Sequence, residues 1–291
     1  MSSTPLVSIA LPAHNAEKTL PRAVRSLQQQ TLTDWELILI DDGSTDSTAS
    51  VASGFNDPRI VVVSDRVRKG LAIRLNQVLS MARGEFFARL DADDIACPER
   101  LQRQVEFLQQ HRRIDLVGTG AVVFAADGSA VGLFPVRLTH EEICRHPWSG
   151  FRLAHPTWMG KTAWFRKHQY RTDMAKAQDQ DLLLRSYRTS VFACLPEALT
   201  GYAQERLLLG KILASRYYFS QALIREAWRS GLYQAGLFGL GGQIAKGALD
   251  TLAIVSGLER VILRHRALPI SEAEITRWKR CWSSCTSGTG T

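Results

Sequence analysis

Over its first 110 residues the chain alternates short apolar runs with segments whose apolar residues recur at helical spacing, and this alternation narrows its fold more than any other feature. Strands are expected at residues 7–11, 35–40, 60–63 and 86–90, and helices at 19–30, 46–53, 70–81 and 98–110. In the first helix Leu20, Ala23, Val24 and Leu27 share one face. Repeats of this kind build βαβ units, hence a largely parallel sheet flanked by helices. At 291 residues, 45% hydrophobic and 22% charged, the chain can bury a sizeable core and is neither collagen-like nor disordered by composition.

In such sheets ligands bind beyond the C-terminal strand edges. Three of the apolar runs deliver unusual residues there. The first ends in Pro12-Ala13-His14-Asn15, read as a loop whose backbone suits a flat ring. The second ends in Asp41-Asp42-Gly43-Ser44-Thr45-Asp46, where Gly43 marks a turn and Asp46 suits a helix cap, while capping gives no reason for the Asp41-Asp42 doublet. The fourth, Phe86-Phe87-Ala88-Arg89-Leu90, runs into Asp91-Ala92-Asp93-Asp94. Carboxylates this close raise one another's pKa unless a cation or donor groups stand among them. The cluster therefore reads either as a site for a hard divalent ion or as an acidic turn before the helix near Pro98.

The formal net charge is +8, of which +6 falls between residues 206 and 266, where nine Lys or Arg face three Asp or Glu. With Tyr217, Tyr218, Phe219, Trp228 and Phe238 among the charges, this region reads as basic amphipathic helices: a packing layer, a dimer contact, or a face resting on an anionic membrane. The uncharged run 230–245 is too short and glycine-rich to span a bilayer, and no nucleic-acid-binding motif accompanies the basic residues. Met1-Ser2-Ser3-Thr4-Pro5 does not read as a signal peptide, and the five scattered cysteines argue for reduced thiols, so a cytoplasmic location is expected. Cys281 and Cys285 lack the spacing of a zinc site. Residues 281–291 are expected to form a flexible tail.

From about Val7 to Arg188 these residues resemble the family 2 glycosyltransferases, which have the GT-A nucleotide-sugar-binding fold. The resemblance is carried by Val7 through Asn15, Ile40 through Thr48, Gly70-Leu71-Ala72 with Asn76, Ala82 through Asp94, His155-Pro156-Thr157, and Gln178-Asp179-Gln180-Asp181 through Arg185. It implies a glycosyltransferase domain over residues 1–204, with a nucleotide-binding half to about 110 and an acceptor half from 111. A helical extension, 205–280, follows.

The resemblance also implies roles. Pro12, Ala13 and Asn15 belong to the loop at the base, Asp41 and Asp42 to the strand end whose carboxylate at Asp42 accepts from the base. Asp91, with Ala92, faces the ribose, and Asp93 binds Mg2+ or Mn2+. Lys69 and Arg74 lie where a basic residue helps hold the diphosphate. Asp179 is the expected general base, beside Gln178 where many relatives carry Glu, a change that leaves Asp179 with a lower pKa than in a paired arrangement. His155 is either a phosphate or acceptor contact or a structural residue. The expected reaction is inverting, metal-dependent transfer from a nucleoside diphosphate sugar, with uridine the favoured base, to a glycan or polyprenyl-linked glycan in surface polysaccharide synthesis. On the inner face of the plasma membrane the basic helices would provide peripheral attachment. The alternative is a nucleotide-sugar-binding module without transfer chemistry, motivated by Gln178. Two other enzyme classes are excluded. The phosphatases that use an Asp-x-Asp nucleophile carry the pair after the first strand, and dinucleotide dehydrogenases need a glycine fingerprint there.

Overall fold

The structure is a computed structural model and describes residues 4–203, 208–257 and 268–286. Strands β1 (Val7–Ala13), β2 (Trp35–Asp41), β3 (Ile60–Ser64) and β4 (Phe86–Arg89) pair in parallel in the order β3-β2-β1-β4. Helices α1 (Leu20–Gln28), α2 (Thr48–Ser53), α3 (Leu71–Met81) and α4 (Arg100–Gln110) make the crossovers. Every residue of β1, β2 and β4 is buried, as befits strands covered on both faces. Leu20, Val24 and Leu27 close one face of the sheet, and Leu75, Val78 and Leu79 the other. The expected alternation is thus observed, with one difference at the first rim. Pro12 and Ala13 are the last residues of β1, Ala13 standing opposite Asp41, so the loop begins only at His14.

The second half extends this sheet with mixed polarity. β5 (Ile95–Ala96), β6 (Leu116–Phe124), β7 (Ala130–Leu133), β8 (Met159–Lys161) and β9 (Phe192–Ala203) continue the order as β4-β8-β6-β9-β5, with β7 on β6. Strand β8 is antiparallel to both β4 and β6, whereas β6 and β9 are parallel. Between them lie α5 (His140–Ile143), α6 (Thr162–Lys167) and α7 (Gln178–Ser186). Because β5 follows Asp94 directly and pairs with Thr200 and Gly201, the end of β9 returns over the acidic turn.

After β9 come α8 (Leu209–Ser230), α9 (Tyr233–Val255) and α10 (Glu272–Thr286). The boundary expected after residue 204 lies outside the described residues. The flexible tail does not begin at residue 281, because α10 runs through Thr286. Trp278, Cys281 and Cys285 recur along one helical stripe and are buried with Phe124, Ile95 and Cys97. Residues 287–291 lie outside the described residues. Gly201 makes this docking possible: a Cβ there would stand 2.2 Å from the Trp278 ring. Gly201→Ala is expected to destabilise the protein by about 1–3 kcal/mol, the usual cost of overpacking, readable by denaturant titration.

Candidate active site

Three groups of polar residues converge at the C-terminal edge of the parallel strands. The first surrounds Asp42. Its oxygens accept from the backbone N–H of Lys69 at 2.7 Å, from that of Gly70 at 3.0 and 3.1 Å, and from Arg74 Nε at 2.9 Å. Gly43 sits at φ +65, and any Cβ there would strike the Arg68 backbone at 2.6 Å, which explains the glycine. Asn15, itself left-handed at φ 50, ties this loop to the first by accepting from Thr45 N. Asp46, expected to cap the helix, stands one residue before the cap position, which Ser47 holds, and accepts from Thr48 N at 3.0 Å.

Several expectations for this rim need correcting. Asp41 is 1% exposed, with its oxygens accepting from Ser44 N and Ser64 Oγ, so it braces the turn from beneath. Arg74 does not reach for a diphosphate: it is fully buried and donates to Asp42, Asp65, Gln77 and the Val67 carbonyl. These contacts make it a positioning residue behind Asp42. Lys69 directs Nζ to Asp65 at 2.5 Å. The guanidinium and then the ammonium hold the Asp65 carboxyl well below its usual range. Removing Arg74 leaves buried Asp42 with backbone donors alone and no cation, and Asp65 with only Lys69 and the Val67 N–H. Arg74→Met is expected to cost about 3 kcal/mol in a thermal or denaturant melt, the penalty of breaking a buried pair.

The second group is the acidic turn. One oxygen each of Asp91, Asp93 and Asp94 lies within 4.8 Å of the others. Asp91 pairs with Arg89, a buried side chain of β4, and Asp94 is 2% exposed, Oδ1 accepting from Ala203 N at 2.8 Å. Its second oxygen, Oδ2, is buried without a partner. Burial first, then the charges of Asp91 and Asp93, push its carboxyl well above the usual range. A turn that only capped a helix would not need a buried carboxylate oxygen left without a donor. The residues therefore fit a hard divalent cation, with Asp91, Asp93 and Asp94 as the donor set. Arg22 of α1 donates to the Asp93 carbonyl at 3.2 Å and lies over the rings of Phe124 and Trp282. Ala92 is buried inside the turn.

The third group hangs from α7. Ala177 occupies the left-handed region at φ 54, an uncommon conformation for alanine, just before the helix that carries Asp179. Asp179 is half-buried and accepts from Gln180 Nε2 at 3.2 Å. Burial raises its carboxyl above the usual value despite the opposing hydrogen bonds and Arg89. Burial thus pushes Asp179 in the direction a neighbouring Glu would push it by repulsion, and Gln178 is itself buried. Asp181 is a different case, locked to Arg171 and Arg185. His155 Nε2 lies 2.8 Å from the Tyr170 hydroxyl, with its ring edge against Trp158. Burial and Arg89 favour its neutral form. In this structure it is a packed, positioning residue.

Two tyrosines join these groups. Tyr170 feels Arg89, Asp179 and Asp91, and Tyr202 feels Asp94, Asp91, Asp93 and Asp179. Gln180, which donates to Asp179, and Ala203, whose N–H donates to Asp94, line one cavity, so the acidic turn and Asp179 stand beside the same space. Sequence reasoning missed Arg89, Arg22 and both tyrosines. Arg89 alone gave a signal, as a charge inside an otherwise apolar strand.

The chain is similar to known proteins in both sequence and fold. The family model described as Glycosyl transferase family 2 matches residues 8–170. EpsE of Bacillus subtilis (strain 168) is 42% identical over 127 residues, covering 43% of this chain and 46% of EpsE. The Escherichia coli UDP-Glc:alpha-D-GlcNAc-diphosphoundecaprenol beta-1,3-glucosyltransferase WfgD is 33% identical over 143 residues, 48% of this chain and 56% of WfgD. The chain thus spans about half the length of these curated relatives. Among solved structures, S. aureus TarS 1-349 in complex with UDP-GlcNAc superposes with a TM-score of 0.63 at 18% identity, covering 96% of this chain and 80% of that one. Mannosyltransferase PcManGT from Pyrobaculum calidifontis in complex with GDP-Man and Mn2+ gives 0.60 at 14% identity, covering 97% and 86%. At these identities the likeness establishes the shared fold.

Proposed function

From the premise that this chain belongs to glycosyl transferase family 2 and has its GT-A fold, we propose that it is an inverting, divalent-metal-dependent glycosyltransferase. The carrying observation is the buried, unpartnered Asp94 oxygen in a carboxylate turn whose Ala203 partner lines the same cavity as Gln180, the donor to half-buried Asp179. In this reading residues 1–110 bind the donor and 111–204 the acceptor. Pro12, Ala13 and Asn15 form the rim at the base, Asp42 accepts from the base, and Asp91 faces the ribose. Asp93, with Asp94, holds Mg2+ or Mn2+. A bound divalent ion offsets the charge that gathers on the departing diphosphate. Asp179 takes the proton of an acceptor hydroxyl as that oxygen attacks the anomeric carbon. The new glycosidic C–O bond forms as the bond to the diphosphate oxygen breaks, and the nucleoside diphosphate leaves from the opposite face, so the anomeric configuration inverts. Arg89, paired with Asp91, keeps the two sets of carboxylates from repelling each other outright.

UDP-sugar is the favoured donor, and the acceptor is a glycan or lipid-linked glycan in polysaccharide synthesis. Support comes from WfgD, whose name specifies UDP-Glc and a diphosphoundecaprenol-linked sugar, and from TarS, solved with UDP-GlcNAc. Attachment to the inner face of the plasma membrane belongs to this reading too. No described helix is long and apolar enough to cross a membrane. The test is incubation of UDP-, GDP- and dTDP-sugars with candidate acceptors and Mn2+, with the product anomer read by NMR. Metal-dependent transfer with inversion is expected. Retention, or binding without turnover, would contradict the mechanism.

A pH dependence follows from the environment of Asp179. A base must be ionised to accept a proton, and burial raises its pKa, so activity is lost on acidification at a higher pH than an ordinary aspartate, near about 4, would give. The acid limb of kcat/KM is expected above that value and should rise further in Arg89→Met, which removes the charge opposing the shift.

A further inference from the structure

We propose that the cavity between the second half of the sheet and helices α8 and α9 binds the phosphate of a lipid-borne acceptor, the outer face of α9 lying in the bilayer that carries it. The inference rests on the transferase reading of the adjoining carboxylates. The cavity measures about 1120 Å³. On one side it is lined by Gln180, which donates to Asp179, and by Ala203, whose N–H holds Asp94, so it opens next to the reacting groups. Its lining carries Arg137, Arg145, Arg152, Lys176, Lys211 and Lys246 together with Arg216, against one acid, Glu142. Arg216 is bound to Asp250 and Gln243 and pins α8 to α9. A neutral sugar needs no such excess of cations, whereas phosphate oxygens do.

The lipid follows from α9, which is built inside out. It buries Gly236, Gly239, Gln243, Gly247 and Asp250 and leaves Leu237, Phe238, Ile244, Leu249, Leu252 and Val255 each 65–77% exposed. An α-helix packed on a core shows the reverse. The buried glycines have a packing reason. A Cβ on Gly236 would meet Ala227 at 2.5 Å, and one on Gly239 the Trp148 carbonyl at 2.7 Å. Among the described residues, none covers these large apolar side chains. At the turn between α8 and α9, Trp228 and Tyr233 are also exposed, edge to face, as aromatic side chains at a membrane interface are. Helix α9 also carries Lys246, so the apolar face and the cation-lined cavity share one element, as a lipid tail and its charged headgroup would demand.

The test is co-sedimentation of the full chain with three kinds of vesicle: phosphatidylcholine alone, phosphatidylcholine doped with a polyprenyl diphosphate, and phosphatidylcholine doped equally with phosphatidylglycerol. Wild type is expected to prefer the diphosphate vesicles over both others and to be displaced by inorganic pyrophosphate. The triple variant Arg145→Gln/Arg152→Gln/Lys176→Gln, altered at exposed positions, should lose about a hundredfold in affinity for them, on the order of fivefold per cation. Leu249→Ser/Leu252→Ser should weaken binding to every vesicle. Both variants should bind UDP with Mn2+ as wild type does. The proposal is overturned if the triple variant binds diphosphate vesicles like wild type, if phosphatidylglycerol serves as well as the diphosphate, or if the chain forms a dimer that ignores vesicles. Failure of wild type to bind any nucleotide would overturn the transferase reading instead, and is scored separately.

Discussion

Asp179→Asn is expected to lower the rate of sugar transfer by about 10³-fold, within the range that a positioned general base contributes, while nucleotide affinity stays at the wild-type level. The two effects separate because Asp179 stands on α7, whereas in the proposed reading the base sits at Asp42, just after β2. The substitution keeps the shape and the hydrogen-bonding capacity toward Gln180 and removes only the ability to accept a proton. Burial already disfavours the charged form, so the neutral amide should cost no stability. Single-turnover rates with bound donor measure the effect without interference from product release. A rate within threefold or so of wild type would mean that another group takes the proton, well short of a base's usual contribution.

Asp93→Asn is expected to be as damaging by another route. It removes one of three carboxylates whose oxygens lie within 4.8 Å, and divalent ions bind such oxygen sites largely through ligand charge. Metal-dependent nucleotide affinity should fall about a hundredfold, and turnover with it, at any donor concentration below saturation. The melting temperature should respond in the opposite sense. The metal-free turn holds Asp94 in a position where burial and two like charges penalise ionisation, so removing a neighbouring charge relieves it. A group with a raised folded-state pKa favours the fold below its unfolded value and loses that contribution as pH rises through the folded one. The relief is therefore felt at neutral pH. A gain of about 1 kcal/mol would lift the melting temperature by about 2–4 °C, and added Mn2+ should stabilise wild type more than the variant.

The sequence is legible where one physical rule dominates. Continuous apolar runs bounded by helical periodicity identify β1, β2 and β4 because helices cover both of their faces, and the clustering of Asp91, Asp93 and Asp94 announces a charge problem that folding alone does not solve. Legibility ends where a side chain's job depends on what folds over it. Arg74 looks like a surface cation beside a diphosphate, yet Asp42, Asp65 and the Val67 carbonyl enclose it. Asp41 and Asp42 are adjacent and chemically identical, and only the positions of Ser64 and Gly70 decide which braces the turn and which faces the rim. Cys281 and Cys285 read as the start of a loose tail because the partners of their stripe, Phe124, Ile95 and Cys97, come from far earlier in the chain. The glycines of α9 suggest a weak helix until Ala227 and Trp148 are seen to need the space.

The central claim is that the carboxylate turn after β4 is a metal-dependent nucleotide site. Calorimetric titration of UDP, GDP and dTDP, each with and without Mn2+, into wild type and Asp93→Asn tests it most directly. One nucleotide, with UDP favoured, is expected to bind wild type only when the metal is present, and the variant to lose that binding while remaining folded by circular dichroism. Metal-independent binding of equal strength in both proteins, or no binding from folded wild type, would contradict the account.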